Sequence, residues 1–246
     1  MKISVVIPVF NEEDSIKELY GQISTALKNQ KKYEIIFIND GSSDKSEKAI
    51  IDLSNEDKRV KLISFYRNFG KSAALSEGFK YASGKIIITM DADLQDDPNE
   101  IFNLINKLDE GYDLVSGWKQ KRYDPWTKTF PSKIFNFVTR ILTGVNIHDF
   151  NCGLKAYRSS VIKSIEVFGG RHRYIPALAG QMNFSVSEIV VNHRPRIYGE
   201  TKYGGSRIFH GFFDLLTILF LNKYTQQPLH FFGSIGLATF TAGFFV

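Results

Sequence analysis

The chain has 246 residues and a mass of 28.0 kDa, and 43% of its residues are hydrophobic and 23% charged. This composition is that of an ordinary globular protein, which excludes a disordered chain and a collagen-like repeat. Cys152 is the single cysteine, so an intrachain disulfide and a cysteine-rich zinc site are excluded as well.

Charge is distributed unevenly along the chain. Residues 1–118 hold 15 Lys and Arg against 20 Asp and Glu, a net charge of −5, whereas residues 119–246 hold 16 against 6, a net charge of +10. A basic half after an acidic half indicates that the second half meets an anionic partner. Three kinds of partner remain open at this point: a nucleic acid, a phosphorylated substrate and an anionic membrane surface.

The first 118 residues alternate short apolar segments with amphipathic ones. The predicted strands are Ile3–Val9, Tyr33–Asn39, Val60–Tyr66, Lys85–Asp91 and Tyr112–Trp118, and the predicted helices are Ser15–Asn29, Asp44–Asn55, Lys71–Ala82 and Asn99–Glu110. This alternation predicts an α/β fold with a mainly parallel sheet covered by helices on both faces. Ligands bind such sheets beyond the carboxyl ends of the strands. The polar segments Pro8–Asn11, Asn39–Ser43, Tyr66–Gly70 and Asp91–Asp97 follow those ends.

The rest of the chain is first basic and then strongly apolar. Residues 119–203 have a less regular pattern, with no repeat and no linker between domains. In Ser206–Leu221 the polar residues recur every three or four positions, which predicts a helix that lies in a membrane interface or packs inside a core. The apolar segment that follows favours the interface. Residues 229–246 contain no Asp, Glu, Lys or Arg and approach the length of about 20 residues that a membrane span needs.

These patterns predict three parts. We expect an α/β domain over residues 1–205, an interfacial amphipathic helix over residues 206–227, and a transmembrane helix over residues 228–246 that belongs to a truncated membrane region. The alternative for the last part is a buried terminal helix.

An acidic motif follows the fourth predicted strand. Asp91 and Asp93 are spaced so that both can reach one hard divalent cation, and Mg²⁺ or Mn²⁺ shares its remaining positions with phosphates. The alternative is a solvated acidic turn that caps the next helix, a role for which Asp96 and Asp97 are well suited.

The turn after the first strand, Pro8–Glu13, has no glycine. This argues against a dinucleotide site of the Rossmann type, in which glycine allows close approach of the pyrophosphate. Asp40, at the end of the second strand, is placed to hold the base or ribose of a nucleotide, or else to form a turn at a helix start. The segment Arg67–Lys71 either contacts a nucleotide or caps the following helix.

These segments together resemble one family. IPVFNEEDSI, INDGSSD, RNFGKSAAL and MDADLQDDP occur in the order found in family 2 glycosyltransferases. HDFNCGLKAYR and NHRPRIYGETKYG narrow the resemblance to the polyprenyl-phosphate sugar transferases, which include dolichyl-phosphate mannosyltransferases and bactoprenol glucosyltransferases. The resemblance covers essentially the whole chain.

The resemblance implies a GT-A fold with a nucleotide-sugar pocket at the strand ends. It implies that an inverting enzyme transfers a hexose from a nucleotide sugar, of the UDP-glucose or GDP-mannose class, to a dolichyl or undecaprenyl phosphate. The implied nucleotide-sugar contacts are Pro8, Phe10, Glu12, Ile38, Asp40, Asp91, Ala92, Asp93, Gln95 and Lys119. Asp91, Asp93 and Gln95 would hold Mg²⁺ or Mn²⁺, Asp93 and Asp149 would serve catalysis, and Arg173, Arg196 and Lys202 would contact phosphates near the membrane.

The chain departs from the mannosyltransferase pattern after the fifth strand. Several relatives carry Arg there, whereas this chain has Trp118-Lys119. Lysine keeps the charge but loses the bidentate fork of arginine. The identity of the nucleotide and of the sugar therefore stays open.

The chemistry of such a reaction agrees with the residues present. A lipid monophosphate has a second pKa near 6 and is largely ionised at neutral pH, so it needs little help from a general base. Asp149 is expected to orient the sugar or the phosphate, or to hold a basic residue, with a turn cap as the alternative. His148, His172, His193 and His210 show no metal-ligand spacing and are interpreted as ordinary polar residues.

Other functions are less well supported. A saccharide-extending transferase would need a base for a sugar hydroxyl, and Asp149 is the candidate. A catalytically idle homologue that docks on membranes would have no chemical need for Asp91, Asp93 and Asp149. Nucleic acid is not expected as a partner, because the aromatic residues of the basic half do not alternate with Lys and Arg.

We expect membrane lipids as partners, with the catalytic domain on the cytoplasmic face, and a homo-oligomer is left open.

Overall fold

The computed structural model describes residues 2–120, 126–198, 217, 220 and 228–245. Seven strands form one sheet in the order β3-β2-β1-β4-β6-β5-β7. In chain order they are β1 (Ile3–Val9), β2 (Tyr33–Asn39), β3 (Val60–Ser64), β4 (Ile86–Thr89), β5 (Leu114–Trp118), β6 (Lys155–Arg158) and β7 (Val186–Val190).

The described helices connect these strands. They are α1 (Ile16–Ala26), α2 (Ser46–Glu56), α3 (Lys71–Tyr81), α4 (Ile101–Asp109), α5 (Trp126–Thr143), α6 (Ser159–Ser164), α7 (Ile175–Gln181) and α8 (Pro228–Phe244). Short 3₁₀ turns at Pro98–Glu100 and Arg171–Tyr174 precede α4 and α7. The four helices predicted before residue 118 are all present, with ends that differ from the predicted ones by at most three residues.

The sheet is mainly parallel, as predicted. Strand β1 pairs in parallel with β2 and β4, β2 with β3, and β5 with β7, whereas β6 is antiparallel to both β4 and β5. Because β6 alone is reversed, the carboxyl ends of the other six strands lie at the same edge of the sheet.

Helices cover both faces of the sheet, so its central strands are apolar throughout. On β1, Val5 and Ile7 face a core formed with α1, α2 and α4, whereas Val6 faces a second core formed with α3, α6 and α7. This alternation explains why β1 and β2 read as continuous apolar runs in the sequence.

Regular structure that the sequence pattern did not predict is present in residues 119–203. This region contains helices α5–α7 and strands β6 and β7. Strand β6 has only four residues and carries Lys155, a charged residue that interrupts its apolar pattern. Strands β3, β4 and β5 are also shorter than predicted, and the predicted strand residues Met90 and Asp91 belong to the loop after β4.

The chain divides into two compact units, Met1–Gly204 and Gly205–Val246. Predicted residues 206–227 lie almost entirely outside the described residues, and the three-part division stays a prediction. Among the described helices, none combines the length and the apolar character that a bilayer crossing requires.

A buried carboxylate stabilises the sheet at the edge opposite the carboxyl ends. Glu34 on β2 is 2% exposed and accepts hydrogen bonds from Ser4 Oγ at 2.6 Å, Ser83 Oγ at 2.7 Å and Ser83 N at 2.9 Å. The ammonium groups of Lys61 and Lys2 lie 2.6 and 3.2 Å from it. Burial acts to raise the pKa of Glu34, but Lys61 and the serine hydrogen bonds outweigh it, so the pKa lies well below its usual range.

We predict that Glu34→Gln lowers the free energy of unfolding at pH 7 by roughly 1–3 kcal/mol, since it removes the charge from a buried hydrogen-bond network. A carboxyl with a depressed folded-state pKa stabilises the fold above its unfolded-state pKa and loses this contribution as the pH falls. Wild type should therefore approach the variant in stability below about pH 4. Urea unfolding from pH 3 to 7 measures this. Glu47→Gln, at an exposed site on α2, is the control, and parallel wild-type and Glu34→Gln profiles would contradict the prediction.

Candidate active site

Four loops meet at the carboxyl edge of the sheet. They follow β1, β2, β4 and β5, and they carry most of the predicted nucleotide-sugar contacts. The first two loops are joined by Asn11, whose Oδ1 accepts a hydrogen bond from Ser43 N at 2.8 Å and whose N–H donates to Ser42 Oγ at 3.0 Å. Asn11 has a positive φ of 53°, a conformation that Asn adopts more readily than most residues.

The predicted nucleoside contacts differ in how accessible they are. The side chains of Pro8, Phe10 and Glu12 are partly exposed at this edge. Glu12 Oε1 lies 3.6 Å from Arg196 Nη1. Ile38 is fully buried in the core under α3, so its side chain is not accessible to a ligand.

The carboxylate of Asp40 connects β2 to the loop before α3. It accepts hydrogen bonds from Phe69 N at 2.7 Å and Gly70 N at 2.9 Å, and the residue is 4% exposed. Burial raises the pKa of Asp40, and the two backbone hydrogen bonds partly offset the rise. Both oxygens therefore fix the loop 67–70, which the sequence had singled out as a candidate nucleotide contact.

Asp91 and Asp93 follow β4 and each contacts a basic side chain. Asp91 forms an ion pair with Lys71 at the start of α3. Asp93 Oδ2 lies 2.5 Å from Arg196 Nη2, and its Oδ1 accepts a hydrogen bond from Gln95 N at 3.2 Å. Leu94, directly after Asp93, is fully buried and has a positive φ of 62°, a strained conformation of the kind found at functional sites.

The two carboxylates titrate differently. Burial acts to raise the pKa of Asp91, but the positive charges of Lys71, Lys119 and Lys155 outweigh it and hold the pKa well below its usual range. Burial together with the charges of Asp91 and Asp96 raises the pKa of Asp93 to about 6. A cation placed between Asp91 and Asp93 would relieve this repulsion, so the two oxygen donors fit a hard divalent ion.

The neighbouring acids have structural roles. Asp97 caps the 3₁₀ turn by accepting a hydrogen bond from Asn99 N at 3.0 Å, and it forms an ion pair with Arg194 at 2.7 Å. Asp96 does not cap a helix, contrary to the expected turn: it is 1% exposed and lies 2.8 Å from Lys119 Nζ.

Gln95 and Ala92 complete the loop after β4. The Gln95 amide nitrogen donates to the Arg194 carbonyl at 3.5 Å, so its Oε1 is the atom suited to a cation. Ala92 is buried in the core. Among the described residues, no three His, Cys, Asp or Glu side chains are grouped as a metal site. A cation held by Asp91, Asp93 and Gln95 would complete its coordination with oxygen atoms of a substrate or of water.

Asp149 lies at the beginning of a turn before β6. It is fully buried, and its Oδ1 accepts a hydrogen bond from Asn151 N at 3.0 Å. This geometry is that of an Asx turn, the structural alternative weighed for this residue.

His172 lies at the site, although the sequence predicts only an ordinary polar residue there. Its Nδ1 lies 2.8 Å from Ser72 Oγ, next to Lys71 in the chain, and its backbone N–H donates to the same oxygen at 3.1 Å. Burial, with the charges of Lys71 and Arg173, lowers the pKa of His172 well below its ordinary value. The imidazole is therefore neutral at pH 7. No signal in a single sequence pairs His172 with a serine 100 positions away.

The three predicted phosphate contacts are placed differently. Arg173 is half-buried beside His172, and its Nε has no hydrogen-bond partner among the described residues. Arg196 lies against Asp93 and Glu12. Lys202 and His210 lie outside the described residues.

The family model for glycosyl transferase family 2 matches residues 4–166. The chain belongs to glycosyltransferase family 2. The dodecaprenyl-phosphate galacturonate synthase of Rhizobium johnstonii is 38% identical over 243 residues, which are 96% of this chain and 72% of that protein. The predicted family and the predicted enzyme class are therefore confirmed.

Solved structures show the same fold as this glycosyltransferase. Glucosyl-3-phosphoglycerate synthase from Mycobacterium tuberculosis, in complex with Mn²⁺, UDP-glucose and phosphoglyceric acid, has a TM-score of 0.71 at 20% identity, over 89% of this chain and 79% of that chain. The complex with phosphoglyceric acid alone has a TM-score of 0.70 at 21% identity, over 88% and 79%. The predicted GT-A-like α/β architecture is confirmed.

We predict that Asp40→Asn loosens loop 67–70, because an amide has only one oxygen to accept the hydrogen bonds that two carboxylate oxygens accept now. The loss should be about 1–3 kcal/mol, concentrated in this loop. Hydrogen exchange of Phe69 and Gly70 should accelerate more than exchange in β1 and β2, as measured by mass spectrometry. Asp14→Asn, at an exposed position of the same edge, is the matched control, and unchanged protection of loop 67–70 would contradict the role of Asp40.

Proposed function

We propose that this glycosyltransferase transfers a sugar from a nucleotide sugar to a polyprenyl phosphate at a membrane. The observation that carries the proposal is the charge arrangement after β4, where Asp91 and Asp93 lie among Lys71, Lys119 and Arg196. Carboxylates can bind the diphosphate of the donor through a divalent cation, and basic side chains can bind the phosphate oxygens of both substrates. The relative named as a dodecaprenyl-phosphate galacturonate synthase supports the lipid acceptor.

The proposed metal ligands are Asp91, Asp93 and Oε1 of Gln95. Mg²⁺ and Mn²⁺ both suit oxygen ligands, and a glucosyl-3-phosphoglycerate synthase of the same fold was crystallised in complex with Mn²⁺ and UDP-glucose. Such a cation, when bound, neutralises charge on the diphosphate leaving group. The proposed nucleoside contacts are Pro8, Phe10, Glu12, Asp40, Ala92 and the backbone of Ile38, with Lys119 near the diphosphate.

The proposed reaction is a direct displacement with inversion at the anomeric carbon. An oxygen of the ionised acceptor phosphate forms the new bond to this carbon, while the bond to the nucleoside diphosphate breaks and its electron pair leaves with that group. No proton has to be removed from the acceptor, because its second pKa is near 6. The residues of the chain therefore bind, orient and neutralise charge.

Arg173, Arg196 and Lys202 are proposed to bind the phosphates. Arg173 is the best placed of the three for the acceptor, since its guanidinium Nε is buried beside His172 without a partner among the described residues. A phosphate oxygen supplies the acceptor that this nitrogen lacks. The neutral His172 adds a polar group there without adding charge.

We propose that Asp149 shapes the site from a buried position and does not contact the acceptor. Its full burial and its turn hydrogen bond suit a residue that shapes the loop before β6. A general base for a sugar hydroxyl would have to reach the acceptor. This placement favours a phosphate acceptor over saccharide extension.

The donor is proposed to carry a hexose or the corresponding uronic acid. UDP-glucose and GDP-mannose fit the family resemblance, and the relative is named for galacturonate.

Membrane contact is proposed through α8, where Phe232, Leu237, Phe240 and Phe244 are 61–76% exposed. The orientation towards the cytoplasm and a homo-oligomeric state stay predictions.

The test uses membranes that contain the full chain, a polyprenyl phosphate and labelled UDP-glucose, UDP-galactose, UDP-galacturonate and GDP-mannose. We predict organic-extractable label from one donor, and its loss on addition of EDTA. The active donor names the sugar. Label that enters a water-soluble saccharide instead would indicate saccharide extension, and no transfer with intact nucleotide binding would indicate an idle homologue.

We predict that Asp93→Asn reduces turnover by roughly 100-fold or more, because it removes a charged metal ligand worth several kcal/mol without changing shape. Initial rates with the active donor and a melting curve measure this. Asp52→Asn, at an exposed site on α2, is the control. Retained activity that still depends on metal would move the metal site away from Asp93.

A further inference from the structure

Lys155 is a buried charge that the proposed reaction does not use. It is the first residue of β6 and is 3% exposed. Its ammonium group donates to the backbone carbonyl of Cys152, and among the described residues it forms no ion pair with a carboxylate. Burial lowers the pKa of Lys155. A lysine is almost never fully buried unless it is paired, so its position calls for a physical reason.

Lys155 belongs to a set of donors that hold the segment Asp149–Leu154, the turn before β6. Ser116 Oγ donates to the Asp149 carbonyl at 3.2 Å, Thr89 Oγ1 to the Gly153 carbonyl at 2.8 Å, and Gly117 N to the Leu154 carbonyl at 2.9 Å. The ammonium group of Lys155 donates to the Cys152 carbonyl, which lies between the Asp149 and Gly153 carbonyls in the chain. Strands β4, β5 and β6 thus fix the turn through four of its carbonyl groups.

The turn packs directly against the carboxylate of Asp91. A Cβ atom placed on Gly153 would lie 2.6 Å from both Cγ and Oδ2 of Asp91 and 2.8 Å from Oδ1. Only glycine allows this approach. The Gly153 backbone therefore closes one side of the Asp91 carboxylate, while Lys71 contacts Oδ1.

We propose that Lys155 is a positioning residue for Asp91. By holding the Cys152 carbonyl, Lys155 keeps the Gly153 backbone against the Asp91 carboxylate and fixes the orientation in which this carboxylate meets a divalent cation. The inference rests on the proposed metal role of Asp91. Residues that orient metal ligands without touching the metal change metal affinity by about 10–100-fold when they are replaced.

The test measures Mn²⁺ affinity of the purified full chain in detergent by electron paramagnetic resonance, with UDP or GDP present. Lys155→Met removes the donor and the charge while it keeps an unbranched side chain. We expect Mn²⁺ to bind at least about tenfold more weakly. Ile162→Ala, on α6 directly after β6, is the control for a general loss of packing. The Mn²⁺ affinity and the melting temperature are measured for both variants.

Gly153→Ala provides an independent arm without any change of charge. Its methyl group must displace the Asp91 carboxylate, so we expect a similar loss of Mn²⁺ affinity in a folded protein. This variant carries the test if Lys155→Met does not fold.

The outcomes separate the inference from the function on which it rests. If wild type binds no Mn²⁺ with either nucleotide, the metal role of Asp91 fails and the inference with it. If wild type binds Mn²⁺ and folded Lys155→Met binds it within twofold, Lys155 does not position Asp91. Equal losses in Lys155→Met and Ile162→Ala, or unchanged affinity in Gly153→Ala, would also overturn the proposal.

Discussion

Charge compensation after β4 is the constraint on which the architecture of the site depends. Four carboxylates occur within seven positions, Asp91, Asp93, Asp96 and Asp97, and all four are half-buried or buried. Carboxylates that lie close together repel one another strongly where water is excluded. Each carboxylate has its own basic partner, in turn Lys71, Arg196, Lys119 and Arg194. The partners come from the start of α3, the end of β5 and the segment after β7, so the acidic loop holds these three regions together.

The single reversed strand makes this convergence possible. Strand β6 lies between β4 and β5 and pairs with both in antiparallel register, with Lys155 opposite Thr89 and Ser116. Its first residue therefore lies at the edge where β4 and β5 end. The turn before β6 consequently enters at the same edge as the acidic loop. This topology brings Gly153 against Asp91, although 61 residues of other structure separate them in the chain.

The sequence was sufficient where the structure is determined locally. The ends of β1 and β2 were predicted without error, because both strands are continuous apolar runs buried on two faces. Strand β6 was missed because a buried lysine breaks its pattern and because its pairing partners are distant in sequence. His172 was dismissed for lack of metal-ligand spacing, whereas its contact with Ser72 depends on tertiary packing. Ion pairs such as Arg196–Asp93 join residues 103 positions apart, and no pattern within one segment reveals them.

The state of the titratable groups also bears on the kind of acceptor. His172 is neutral, Asp149 is buried in a turn, and Asp91 is held ionised by lysines. Asp149 is fully buried, whereas a base for a hydroxyl acceptor would have to reach that acceptor. The basic side chains around the acidic loop, in contrast, supply positive charge without taking up a proton from the acceptor. A site built in this way can bind, orient and neutralise anions, which is what the proposed transfer to an ionised phosphate requires.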